Sequence, residues 1–278
     1  MKAHANCKIN IGLRVVRKRE DGYHDLDTLF YPVYGLYDEL EIIKKSAIRS
    51  QMSEVEFVSD GIMLDCADEE NLVLKCYRLL AAKYPQIGSV RISLKKQIPF
   101  GAGLGGGSSD AAHTAIILNE LFELGLSKEQ LAADVRALGA DCPFFIYNTP
   151  CRAEGIGDVL TPVDFSLSGK RLIMVKPNVG VSTKEAYAGL VPSGLLQGDL
   201  TNWRHYKNDF EQTVFALHPE LAEIKKRLLN AGAEYAAMTG SGSTIFGLFE
   251  DNSEGRTFAD LRVLEEELTP MIIFNNTL

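Results

Sequence analysis

The stretch GAGLGGGSSDAA, Gly101 to Ala112, holds five glycines and two serines and runs into an alanine-rich segment. Such a composition suits an anion. Glycines let the backbone approach a charged group closely, and the free N–H groups at the start of a following helix, aided by its dipole, favour negative charge. Ser108 and Ser109 add hydroxyls able to reach a phosphate or a metal ion. Gly101, Gly103 and Gly106 satisfy the dinucleotide spacing GxGxxG. A dinucleotide site, however, also needs a second strand ending in an acidic residue about 20 positions on, to hold the ribose. Here those positions carry a helical pattern, then GLSKEQ, then another helical pattern. A P-loop aligned on Gly101 reaches Gly106 and Ser108, but Gly107 stands where the lysine that contacts the β- and γ-phosphates belongs. The nicotinamide-oxidoreductase and P-loop readings both fit poorly. A glycine turn used only for tight packing is the alternative without chemistry.

The elements that must position this loop belong to a chain of 278 residues, 46% hydrophobic and 24% charged, with a formal net charge of -8. That length allows one large domain or two modest lobes. An acidic balance without basic runs argues against nucleic acid and membrane surfaces as partners, since both call for clustered Lys and Arg. Cys7, Cys66, Cys76, Cys142 and Cys151 are odd in number and form no CxxC pair. They are expected to be reduced thiols, not a disulfide frame or a zinc site. No stretch has the character of a signal peptide or a membrane span, so the expected location is cytoplasmic.

Ala5 to Leu13 alternates as a strand, with Ala5, Cys7, Ile9, Ile11 and Leu13 on one face and Asn6, Lys8, Asn10 and Gly12 on the other. A loop, KREDGYHDLD, turns at Asp21-Gly22, and LFYPVYGLYDELEIIKK and SEVEFVSDG read as extended. DEENLVLKCYRLLAAKY has helical spacing, and SVRISLKKQI is a strand that feeds the glycine loop. A helix is expected from Ala111 to Leu124, and a second starts at the capping box Ser127-x-x-Gln130 and stops at Gly139. ADCPFFIY reads as a short buried strand and CRAEGIGDVLTPV as a hairpin. Beyond lie the strand KRLIMVKP, an irregular stretch to about Trp203, the helix PELAEIKKRLLNAG and the strand–loop–strand EYAAMTGSGSTIFGLFE. Irregular interleaving of this kind favours α+β over a doubly wound sheet.

PFGAGLGGGSSDAA resembles the phosphate motif of the GHMP kinases, ANCKINIGL their N-terminal motif and MTGSGSTIFGLF their C-terminal glycine motif. Together the three blocks span nearly the whole chain. The resemblance implies a kinase of two lobes, an ATP-binding lobe over residues 1–160 like the second domain of ribosomal protein S5, and a ferredoxin-like lobe over 161–278. CKINIGLRVVRKREDGYHDLDTLF, GLGGGSS and LGADCPFF further resemble the branch that phosphorylates a cytidine diphosphate ester of methylerythritol in the non-mevalonate isoprenoid pathway. Kinases of the same family acting on homoserine, mevalonate or a sugar are the nearest rivals, and a non-catalytic nucleotide-binding member is the rival of another class.

The resemblance also assigns roles. Asp141 matches the family's catalytic aspartate and Lys8 its paired lysine, which would hold Asp141 ionised and stabilise the transferring group. Bracing of the Gly139 turn is the structural alternative for Asp141, and a solvent-facing position is that for Lys8. Gly101, Gly103, Gly105, Gly106, Gly107, Ser108 and Ser109 would cradle ATP, with Asn71, Leu72 and Lys96 toward the adenine. Asn10 would bind the polyol, and Tyr23 and His24 the cytosine. Thr183 and Tyr187 would complete the acceptor pocket, and Thr239, Gly240, Ser241 and Gly242 would pack near substrate and phosphate. Asp110 either points away from the triphosphate or helps to bind Mg²⁺. No acidic or histidine cluster has the spacing of a protein-built metal site, so Mg²⁺ is expected to arrive with ATP. A monomer and a homodimer are both compatible with the sequence.

Overall fold

A computed structural model describes residues 1–45, 54–63, 68–250, 266 and 268–278; Cys66 lies outside them. Along the chain run β1 (Lys2–Lys18), β2 (His24–Lys44), β3 (Val55–Gly61), α1 (Leu72–Lys83), β4 (Val90–Lys96), α2 (Gly106–Leu121), α3 (Lys128–Val135) and α4 (Cys142–Tyr147). There follow β5 (Cys151–Gly155), β6 (Val159–Pro162), β7 (Lys170–Val175), α5 (Thr183–Tyr187), α6 (Phe210–Leu217), α7 (Pro219–Asn230), β8 (Tyr235–Met238), β9 (Ile245–Glu250) and β10 (Ile272–Thr277). The α+β expectation holds.

These elements form two compact units. The first takes in Met1–Lys8, Leu36–Phe100 and Gly105–Thr149, and the second Ile9–Gly35, Gly101–Leu104 and Pro150–Leu278. The paired strands β1 and β2 run through both.

In the first unit β4 lies between the C-terminal half of β2, antiparallel to it, and β3, parallel to it. Val90, Ile92 and Leu94 of β4, and Leu40 and Ile42 of β2, alternate into the core. α1 packs on α2, which also packs on α4. α1 begins where Asn71 Oδ1 accepts from the Val73 N–H at 2.9 Å, and it buries Val73, Leu74, Cys76, Tyr77 and Leu80. Burial of one such leucine is worth about 1.5–3 kcal/mol. α3 carries the capping box of Ser127 and Gln130 that its sequence predicts.

ADCPFFIY corrects an expectation: the segment is a helix, α4, not a strand. Pro143 sits in its first turn, and Cys142, Pro143, Phe144, Phe145 and Ile146 are all buried. A six-residue run that is apolar on every side has no periodicity to separate a buried strand from a buried helix. α2, for its part, starts at Gly106, five residues before the predicted Ala111.

The second unit contains an antiparallel sheet in the order β10-β7-β9-β8. Its strand order, fourth, first, third and second along the chain, is that of the expected ferredoxin-like lobe. Ile173, Val175, Val214, Leu221, Leu228, Met238 and Phe249 belong to its core. In the same unit the N-terminal half of β2 pairs with β5, and β5 with β6, the hairpin read from CRAEGIGDVLTPV.

Candidate active site

In the first unit the glycine loop closes onto Lys8. Gly105 caps α2 in the left-handed region, φ 71°. A Cβ there would stand 3.0 Å from the Phe145 ring and 3.2 Å from Lys8 Cε, so the position admits only glycine in both conformation and space. Lys8 Nζ lies 3.4 Å from Asp141 Oδ2; the lysine side chain is 4% exposed and the aspartate 32%. The ammonium is therefore enclosed, whereas the carboxylate keeps an open side. Asp141 stands immediately before α4 without capping it through its side chain. Ser108 Oγ comes within 3.6 Å of where a Gly139 Cβ would be, which sets the first turn of α2 beside the Asp141 loop. The neighbouring Cys142 bonds with Ser108, yet burial pushes its thiol up to about 12, so it stays a thiol.

The other nucleotide-side candidates divide. Leu72 Cδ1 is 3.6 Å from the Cβ point of Gly107, alongside the phosphate helix. Asn71 spends its carbonyl oxygen on capping α1. Ser109 is buried, and its Oγ lies 3.3 Å from His113 Nδ1. Lys96 is turned inward, where its ammonium donates to Asp38 Oδ2 and, at 2.7 Å, to Asp110 Oδ2. This answers the question left open for Asp110, whose carboxyl points into the core. Burial drives its pKa up to about 8; Lys96 opposes the shift and Asp38 adds to it. For Lys96 burial acts downward, but the two carboxylates outweigh it and the ammonium is held above its ordinary range.

In the second unit a chain of hydrogen bonds surrounds Asn10. Its N–H donates to Thr239 Oγ1 at 3.0 Å and its Nδ2 to Thr28 Oγ1 at 3.0 Å. The Thr28 hydroxyl in turn donates to Gly12 O, and Thr239 donates to Gly103 O at 3.0 Å. A Cβ on Gly103 would meet Thr239 O at 2.1 Å, so this loop glycine and the Thr239 turn fit only backbone to backbone. Gly240 and Gly242 carry positive φ in that turn, and Ser241 is half-buried. Asn208, which no sequence signal marked, is 3% exposed and donates to both Met238 O and Gly240 O at 2.7 and 2.8 Å.

His24 and Tyr187 stack with ring centroids 4.5 Å apart, and the edge of Tyr187 meets Phe210. Partial burial, with Lys18 nearby, lowers the His24 pKa, which favours the neutral ring with one donor and one acceptor nitrogen. Tyr23 is 61% exposed. Thr183 opens α5 at the surface, behind a capping box formed by Ser182 and Glu185. Cys7, Cys76, Cys142 and Cys151 are buried thiols. Among the described residues no group of three His, Cys, Asp or Glu could hold a metal ion, and no helix is long and apolar enough to cross a membrane.

Comparison with known proteins identifies relatives of the chain. Sequence models of the GHMP kinases N terminal domain and the GHMP kinases C terminal domain match residues 71–149 and 193–260. The chain is 45% identical over 259 residues to the 4-diphosphocytidyl-2-C-methyl-D-erythritol kinase of Azobacteroides pseudotrichonymphae, covering 90% of this chain and 94% of that one. With the protein of the same name from Bacteroides fragilis it shares 46% over 252 residues, 88% of this chain and 90% of the relative. A crystal structure of 4-(cytidine 5'-diphospho)-2C-methyl-D-erythritol kinase superposes with TM-score 0.80 at 34% identity, over 100% of this chain and 98% of that one. Homoserine kinase from Cytophaga hutchinsonii shares the fold alone, with TM-score 0.70 at 18% identity, over 97% of this chain and 90% of its own.

Proposed function

The chain belongs to the GHMP kinases, and we infer that it transfers the γ-phosphoryl group of ATP to the 2-hydroxyl of 4-(cytidine 5'-diphospho)-2-C-methyl-D-erythritol, a step of non-mevalonate isoprenoid synthesis. The observation that carries this reading is the Lys8–Asp141 ion pair beneath the glycine-capped start of α2, in a chain whose relatives bear that activity in their names.

Phosphoryl transfer asks little covalent chemistry of a protein; it asks for an in-line hydroxyl and compensation of charge on the phosphoryl oxygens. On this reading the free N–H groups of Gly106, Gly107 and Ser108 receive the phosphates of ATP at the helix start, where the dipole adds to them, while the Ser109 N–H closes the first helical turn on Gly105 O. Gly101, Gly103 and Gly105 shape the loop before it. The Lys8 ammonium lies against that loop and supplies positive charge as the phosphoryl group moves. Asp141, open on one side, orients the acceptor hydroxyl and takes its proton as the new P–O bond forms and ADP leaves. Leu72 offers an apolar contact to the base, with Asn71 beside it.

For the acceptor, Asn10 and the turn Thr239, Gly240, Ser241 and Gly242 bind the polyol and diphosphate, and Thr183 adds a hydroxyl. Tyr23, His24 and Tyr187 supply aromatic faces for cytosine, and the neutral imidazole a donor and an acceptor for its polar edge. Mg²⁺ enters with ATP, held mainly by phosphates and water. The division of labour follows the lobes read from the sequence, 1–160 chiefly for ATP and 161–278 completing the acceptor site.

The test is ADP release with Mg²⁺-ATP against four acceptors: the cytidine ester, mevalonate, homoserine and galactose. Turnover with the cytidine ester alone is expected. Turnover with another acceptor would keep the kinase and discard the pocket; ATP binding without any turnover would discard both.

A further inference from the structure

Asp38, Lys96 and Asp110 form a buried, hydrogen-bonded trio in the first unit that the transfer step does not use. Their side chains are 0%, 4% and 4% exposed. Taking an ammonium and its carboxylate partner out of water costs several kcal/mol per ion, which their mutual attraction offsets only in good geometry. A core assembled for stability alone would use apolar residues of the same volume. Asp110 Oδ1, moreover, has no hydrogen-bond partner among the described residues.

The further contacts of the trio show where it acts. Asp38 Oδ1 accepts from the N–H groups of Gln97, at 2.6 Å, and Ile98, at 2.9 Å, the two residues by which the chain leaves β4 for the glycine loop. At the other end of the loop, a Cβ on Gly106 would stand 3.4 Å from Lys96 Nζ and 2.9 Å from Ile98 Cγ2. Asp110 lies on α2 one turn further on. One ammonium thus ties the exit of β4, through Asp38, to the opening of α2, through Asp110.

We propose that Asp38, Lys96 and Asp110 are positioning residues for the phosphoryl donor: the trio fixes the start of α2 against the exit of β4 and so aims the N–H groups of Gly106–Ser108. Lys96 then acts through the cradle and does not read adenine. The inference rests on the placement of ATP proposed above.

Tripolyphosphate, which has the phosphates of ATP without the nucleoside, separates the two roles. The affinities of the full chain for Mg²⁺-ATP and Mg²⁺-tripolyphosphate are measured for the wild type, Lys96→Met and Asp38→Asn. Asp38→Asn keeps the volume of the side chain but has one oxygen to serve both Lys96 and the loop N–H groups, so it breaks the tie more gently. Both variants are expected to lose affinity for the two ligands by the same factor, about tenfold for Lys96→Met and less for Asp38→Asn, while the acceptor KM stays within about twofold. A loss confined to ATP would make Lys96 a reader of the base and overturn the proposal. Lower thermal midpoints with both affinities unchanged would reduce the trio to a structural element. Failure of tripolyphosphate to compete with ATP on the wild type would overturn the placement of ATP, and the inference with it.

Discussion

In the proposed reaction two residues, Lys8 and Asp141, carry the chemistry, and a third residue carries a cost. Asp141→Asn keeps the shape of the carboxylate but cannot take a proton, so kcat is expected to fall by at least about 10²-fold while the ATP dissociation constant is little changed. Near-normal single-turnover rates in that variant would remove Asp141 from the mechanism. Asp110 is the third. Its carboxyl faces Lys96 and Asp38 in the core and keeps its proton to about pH 8, whereas in the unfolded chain it ionises near pH 4. Folding therefore takes up a proton across that window, and stability falls as pH rises from about 4 to about 8. Asp110→Asn removes the ionisation, so its thermal midpoint relative to wild type should climb between about pH 5 and pH 8.5. A pH-independent difference would contradict the assignment. At this scale the sequence was informative for Lys8, which the alternation of Ala5 to Leu13 set on one face with Asn6 and Asn10. It was silent on burial: all three are 3% exposed or less, where a lone strand of that pattern reads as half-solvated.

The element that matters most is α2, which departs from helix propensity at its start. Gly106 and Gly107 are poor helix formers, and pattern alone places the start at Ala111. Contacts that local sequence does not reveal override propensity here: Gly106 lies against Ile98 and Lys96, and Gly105 against Phe145 and Lys8. Gly105→Ala is expected to cost about 1–2 kcal/mol from the left-handed backbone alone, with the crowding of Phe145 and Lys8 in addition. Its ATP KM should rise together with a lower urea midpoint; an unchanged KM would show that the loop does not shape the donor site. Helix α4 was illegible for the opposite reason, since its uniformly apolar run hides its period. Strand β10 and helix α6 gave no clear signal either, being short elements whose place is settled by long-range pairing with β7 and packing on α7.

At the scale of the whole molecule, three glycine-bearing blocks in the right order, the first with a lysine, sufficed to place the chain in its family, because each block is local in sequence. The make-up of the two units was not local: segments from across the chain alternate between them, and β1 and β2 belong to both. In the proposed function, substrate choice is likewise a property of distant residues. His24 and Tyr187, 163 positions apart, stack on one another, and neither sequence neighbourhood alone shows that. His24→Ala is expected to raise the acceptor KM about tenfold, the worth of one lost stacking and hydrogen-bonding partner, with the ATP KM unaltered. Equal changes in both constants would mean that His24 holds the fold and not the base. The most direct test of the central claim is ³¹P NMR of the products formed from Mg²⁺-ATP and the cytidine ester. One new phosphomonoester resonance on the methylerythritol, appearing in step with ADP and leaving the diphosphate bridge intact, is the expected result. ADP accompanied only by inorganic phosphate, or a phosphate placed elsewhere on the ester, would contradict it.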